Sequence, residues 1–209
     1  MDIYAFAAQK GGVGKTTLAG HLAVEATQVG PVVLVDTDPQ GSLGHWWEAR
    51  PEDALYFADA RPRQLPALLA KWRDAGVQAV MLDTPPAISE TIRDVVQLAD
   101  LVVVPTRPSP HDLRAVLGTL ELVEEYGKPV VFVVNAAVVR ARLTCQVAVA
   151  LSQYGTVAPV TVHHRVDFAA AMIDGRVARE INGKSRATEE ITSLWNYVTT
   201  LLRTVKEND

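Results

Sequence analysis

The chain has 209 residues, 48 % hydrophobic and 21 % charged, enough to close one sizeable core and near the upper length for a single domain. A formal net charge of -4 argues against a polycation built to wrap nucleic acid, and a lone cysteine, Cys145, excludes an internal disulfide or a paired-cysteine metal or iron–sulfur pattern within one chain. One domain over residues 1–209 is expected; an acidic start without a basic leader, and no apolar run of about 18 to 20 residues, give the expectation of a cytoplasmic protein.

In chain order, apolar runs at residues 3–8, 32–35, 77–82, 101–104 and 130–134 are short, valine-rich and mostly continuous. Such runs suit strands covered on both faces. A further strand is expected at 157–162. Between the runs, Leu18, Leu22 and Ala26 recur at helical spacing, and Leu113, Val116, Leu117, Leu120 and Val123 mark a second helix stopped by Gly127 and Pro129. Residues 50–73 are less regular: Pro51, Pro62 and Pro66 interrupt them before a short helix through Leu65, Leu68, Leu69 and Trp72. A C-terminal stripe joins Ile191, Leu194, Trp195, Val198, Leu201, Leu202 and Val205. Alternating strands and helices predict a three-layer α/β domain, a mostly parallel central sheet flanked by helices.

The stretch Gly11-Gly12-Val13-Gly14-Lys15-Thr16 follows the first expected strand and opens the first expected helix, the context a phosphate loop requires. Glycines let successive backbone N–H groups turn inward, and the helix start adds unsatisfied donors and its positive end. Lys15 supplies a charge for the β- and γ-phosphates, and the Thr16 hydroxyl is a candidate Mg²⁺ ligand. Asp83 closes the third apolar run beside this loop and is expected to hold Mg²⁺ directly or through water. Of Asp36 and Asp38, which end the second run before Pro39 and Gln40, one reads as an outer partner of the metal and the other as a group that positions water.

These residues resemble the ParA/MinD family of deviant P-loop ATPases. Its additional early lysine is matched by Lys10 in Lys10-Gly11-Gly12-Val13-Gly14-Lys15-Thr16-Thr17, its second motif by Asp36-Thr37-Asp38-Pro39-Gln40, and its third by Asp83-Thr84-Pro85-Pro86. The likeness continues through Pro105-Thr106-Arg107-Pro108-Ser109-Pro110-His111-Asp112 and Asn135, and is nearest to the short plasmid partition proteins. The resemblance implies ATP with Mg²⁺ as cofactors, held by residues 11–17 with Asn135 at the adenine and with Thr16, Asp36 and Asp83 at the metal. It implies a catalytic set of Lys10, Lys15 and Asp38, with Lys10 reaching the phosphates of a partner subunit and Asp38 orienting the attacking water. Residues 165–168 and 175–177 resemble the segment that closes over the adenine.

The implied activity is slow ATP hydrolysis by a dimer that binds nonspecific DNA over the nucleoid and is released when a centromere-binding adaptor stimulates turnover, so that plasmid or chromosomal DNA is segregated. The same machinery carrying a protein cargo, such as a chemoreceptor cluster, is the alternative; a metabolic ligase or kinase would want a substrate-binding insertion, and none is visible beyond residues 50–73. Residues 1–139 carry 11 Lys/Arg against 17 Asp/Glu, and residues 140–209 carry 9 against 7, so DNA contacts are expected among Arg140, Arg142, Arg176, Arg179, Lys184, Arg186 and Arg203. The tail ends acidic and is a poor membrane anchor. Trp46, Trp47 and Trp72 read as packing for the irregular region or a dimer face, adjacent tryptophans being also a possible peptide site; Trp195 reads as core. His163 and His164 have no acidic or cysteine ligand nearby in sequence, which disfavours a metal role.

Overall fold

Branched and aliphatic residues at consecutive positions leave a strand no solvent-facing side, so each apolar run must be covered twice. A computed structural model, describing residues 1–51, 55–87 and 89–208, shows how. Its strands are β1 (Asp2–Phe6), β2 (Val32–Asp36), β3 (Leu55–Ala58), β4 (Ala79–Asp83), β5 (Leu101–Thr106), β6 (Val130–Val134) and β7 (Thr156–Val157). They form one sheet in the order β3-β2-β4-β1-β5-β6-β7, and every described pairing is parallel.

Successive strand residues feed two separate cores. Tyr4, Phe6, Leu34, Met81 and Val103 face a core shared with α1 (Lys15–Ala26), α2 (Ser42–Glu48), α8 (Ala178–Ile181) and α9 (Arg186–Asn208). Ile3, Ala5, Val35, Leu82 and Val104 face the other, which is closed by α3 (Leu65–Asp74), α4 (Glu90–Leu98), α5 (Pro110–Glu125) and α6 (Arg142–Leu151). The three-layer arrangement expected from the sequence is therefore present. Helix α1 is buried nearly all round, from Leu18 to Ala26, because it lies between the sheet and α9; each fully buried Leu there is worth roughly 1.5–3 kcal/mol. A short α7 (Val166–Ala171) precedes α8.

Two sequence expectations are corrected. The stretch 50–73 contains β3, an edge strand of four residues that carries Tyr56 and Phe57. At 157–162 only Thr156–Val157 is strand; Pro159 offers no N–H for a ladder, and the chain rejoins β6 only where Val162 N donates to Val134 O at 2.9 Å. The tryptophans are packing residues. Trp46 is buried, its indole donating to Arg176 O at 3.0 Å, and Trp47 stacks on Phe57. Trp195 meets Tyr4 in the first core.

Candidate functional site

Strand β1 is central, and the chain moves to β2 on one side of it and to β5 on the other. A crevice therefore opens at its C-terminal end, where parallel sheets bind ligands. The glycine loop fills this crevice and runs into α1, with Gly14 as the helix N-cap at φ 98°. Asn135, at the end of β6, donates from Nδ2 to Val13 O at 2.7 Å, and a Cβ on Gly14 would overlap that same amide. Only glycine serves at Gly14, for both reasons. Asn135 thus fixes the loop while lining a cavity of about 310 Å³ with Val13, His163, Arg165, Phe168 and Met172.

A second cavity of about 610 Å³ adjoins the first through Gly12, Gly14 and Thr17, and is lined further by Lys15, Thr16 and Asp38. One cavity is mostly apolar-walled and the other is rimmed by backbone N–H groups and a lysine, a division suited to a base and its phosphates. Lys15 is buried, its Nζ 3.4 Å from Lys10 O; burial pushes its pKa down, while Asp83 and Asp38 oppose that shift. A bound polyphosphate would supply the countercharge.

Asp36 and Asp83 are register partners at the ends of β2 and β4. Asp83 is buried, and Oδ2 accepts the Thr16 hydroxyl at 2.5 Å while Oδ1 has no hydrogen-bond partner. Burial pushes its carboxyl up to about 7, with the Thr16 hydrogen bond opposing. A carboxylate oxygen left bare in a buried place, beside a threonine hydroxyl, fits a divalent cation, which would hold the group ionised. Among the described residues no cluster of three or more His, Cys, Asp or Glu could hold a metal, so phosphate oxygens and water would complete the coordination, as Mg²⁺ prefers. The Asp36 carboxylate is occupied differently: Oδ1 accepts from Asp38 N at 3.0 Å, and Oδ2 from Leu43 N at 2.8 Å and Gly44 N at 3.1 Å. It shapes the turn that presents Asp38, whose own Oδ1 accepts from Gln40 N at 3.0 Å.

Lys10 does not line the second cavity. Its Nζ forms an ion pair with Asp112 on α5. The basic residues are spread over several elements, and three of them are paired with acids. Arg176 pairs with Asp174, Arg179 with the buried Glu25 and Arg186 with Glu189. Arg140 and Arg142 lie beyond the end of β6, Lys184 before α9, and Arg203 at the far end of α9 beside Asp2. Arg203 follows Arg186 by seventeen helical steps, about 25 Å. Sequence reasoning also missed the acid next to His163. Glu190 accepts from His163 Nδ1 at 2.7 Å and from Arg165 Nη2 at 2.6 Å, which fixes the wall of the base cavity. No local pattern announces that pair, since 27 residues separate its members. Also missed was the clasp just past α2: Arg50 Nη2 donates to Glu180 Oε1 at 2.8 Å and Nη1 to Gly175 O at 2.6 Å.

The sequence model of the CobQ/CobB/MinD/ParA nucleotide binding domain matches residues 4–177. The chain belongs to this family. As a member of the ParA/MinD group it is a Walker-type ATPase, and membership implies ATP, typically with Mg²⁺. Two curated relatives are both named maintenance of carboxysome distribution protein A. That of Halothiobacillus neapolitanus is 31 % identical over 203 residues, 90 % of this chain and 92 % of the relative. That of Gloeobacter kilaueensis is 46 % identical over 113 residues, 53 % of this chain but only 51 % of the relative. The fold is shared with the septum site-determining protein MinD of Pyrococcus horikoshii complexed with Mg-ADP, at TM-score 0.80 and 16 % identity over 96 % of both chains. The expected nearness to plasmid partition proteins in particular gives way to these carboxysome-distribution relatives. Among the described residues no helix is long and apolar enough to cross a membrane.

Proposed function

We propose that this ParA/MinD-type ATPase positions a large protein assembly, of the carboxysome kind, and uses nonspecific DNA as its carrier. The observation that carries the reading is the match along 92 % of a relative named for carboxysome distribution. A protein cargo is thereby favoured over a plasmid or chromosome. In this scheme ATP and Mg²⁺ sit on residues 11–17, with Thr16 and Asp83 at the metal and the adenine between Asn135 and the His163–Arg165 wall. Two copies close around the nucleotides, and Lys10 of each reaches the partner's phosphates, so that γ-phosphate loss loosens the pair. Asp38 orients the attacking water. With a single carboxylate offered to the water, turnover is slow until a cargo-bound adaptor stimulates it. Arg140, Arg142 and Lys184, which carry no acidic partner among the described contacts, are the DNA contacts this reading favours; the dimer doubles them and makes binding steeply salt-dependent.

The test is replacement of Lys15 by Ala in the source organism, with the cargo assembly imaged and low-copy plasmid retention counted. Clumped assemblies with plasmids retained are the expected result. Plasmid loss with assemblies still evenly spaced would overturn the protein cargo and return DNA segregation, with a centromere-binding adaptor, in its place.

A further inference from the structure

Tyr4 lies on β1 with its ring against Trp195, the two centroids 5.4 Å apart. A phenol placed in a core normally spends its hydroxyl on a hydrogen bond. The Tyr4 hydroxyl is buried and finds no partner in hydrogen-bonding geometry among the described residues. An orphaned buried donor is unfavourable, and phenylalanine would fill the same place without that cost. Tyr4 borders a cavity of about 560 Å³, within the size range of small-molecule sites. It opens at the N-terminal edge of the parallel sheet, between Asp2, Ala79 and the last turns of α9. The glycine loop lies at the other end of β1, whose five residues span about 16 Å.

The polar groups of this cavity divide by position. At the sheet end the Lys206 ammonium is shared by Asp2 at 2.9 Å and Asp100 at 3.3 Å, so one cation stands between two carboxylates and repels an anionic ligand group. Burial, then the charges of Asp2 and Asp100, push the Tyr4 phenol above its ordinary range, which keeps it a neutral donor. Trp195 also borders the cavity, and unlike those of Trp46 and Trp47 its indole N–H donates to no described residue. At the mouth Arg203 is exposed and makes no ion pair among the described residues.

We propose that this cavity binds a small planar molecule with a neutral hydrogen-bond acceptor at one end, taken by the Tyr4 hydroxyl, and a carboxylate at the other, taken by Arg203. Its ring lies beside the apolar surface of Trp195 and Leu202. The nucleotide crevice is at the opposite edge of the sheet, so both places can be filled at once.

The experiment is calorimetry of the full chain with para-acetamidobenzoate and benzoate as probes, with and without saturating Mg-ADP, for the parent, Tyr4→Phe and Arg203→Gln. The parent is expected to take up para-acetamidobenzoate whether or not Mg-ADP is present. Its affinity should fall about fivefold in Tyr4→Phe and about two- to fivefold in Arg203→Gln. Benzoate keeps the anionic group but lacks the amide oxygen, so its weaker binding should be unchanged in Tyr4→Phe and reduced in Arg203→Gln. Urea unfolding should find Tyr4→Phe at least as stable as the parent, which separates lost binding from a lost fold; a clear loss of stability would mean that the hydroxyl already has a protein partner, and counts against the site. No uptake by the parent, the cavity then holding water only, overturns the proposal, as does unchanged affinity for para-acetamidobenzoate in either variant. Uptake that Mg-ADP abolishes overturns it too, since the probe would then occupy the nucleotide crevice.

Discussion

His21 offers a titration whose sign and size follow from its surroundings. It lies on α1 one turn beyond Thr17, 1 % exposed, edge-on to Phe168. Nδ1–H donates to Thr17 O at 2.8 Å, which leaves Nε2 as acceptor for Ala178 N–H at 3.1 Å. A proton on Nε2 would break the second bond and strand a charge in the core. Burial accordingly pushes the imidazole down to about 4. The unfolded chain takes up this proton near its ordinary value of about 6.5. Between those values the unfolded state binds the proton and the folded state does not, so the contribution is intact above pH 6.5 and falls away as pH drops toward 4. From pH 8 to pH 4.5 the loss is roughly 2 to 3 kcal/mol. Asp83 acts in the opposite sense, since its raised value, about 7, makes the folded state hold a proton that the unfolded chain releases. The parent's net profile thus mixes signs. Comparison with His21→Gln, whose amide oxygen can accept from Ala178 N–H and does not titrate, isolates the histidine. Urea unfolding at pH 8 and pH 4.5 should show the parent losing roughly 2 to 3 kcal/mol more than the variant. Parallel acid limbs in the two proteins would refute the assignment of a neutral, doubly bonded imidazole.

Gly14→Ala places a methyl group on the Asn135 amide at a φ of 98°, and calorimetry should show nucleotide affinity reduced at least 100-fold with the fold retained by circular dichroism; near-parent affinity would disprove the close approach. Asp83→Asn removes the bare buried oxygen's charge, so the rise in melting temperature that ADP gives should become independent of Mg²⁺. A magnesium increment as large as the parent's would remove Asp83 from the metal site.

The parts of the fold legible in the sequence were those written in adjacent residues. Continuous valine runs announced β2, β5 and β6 because a strand buried on both faces leaves no polar alternation to confuse the reading. The glycine loop was legible for the same reason, its whole backbone cradle being eight consecutive residues. Strand β3 escaped because four residues, Leu55–Ala58, follow closely on Pro51 and are too short to show a period. Long-range partners escaped altogether: nothing near Lys10 names Asp112, and nothing near His163 names Glu190. The basic-leaning last third was a feature of composition, and the length of α9 disperses it, with Arg203 at one end and Arg186 at the other. Arg179, counted among surface cations, is tied to the buried Glu25.

Helix α2 stands between the Asp38 turn and residues 175–180, which lead into α8. At its start Asp36 grips Leu43 and Gly44; along it and just past its end, Trp46 and Arg50 grip residues 175–180, where Gly175 packs so tightly that a Cβ would lie 2.5 Å from the Ala49 carbonyl carbon. A strut fastened at both ends transmits displacement without slack. The turn that carries Asp38 and the approach to α8 are consequently geared together, and on the reading proposed above a change at the terminal phosphate displaces both.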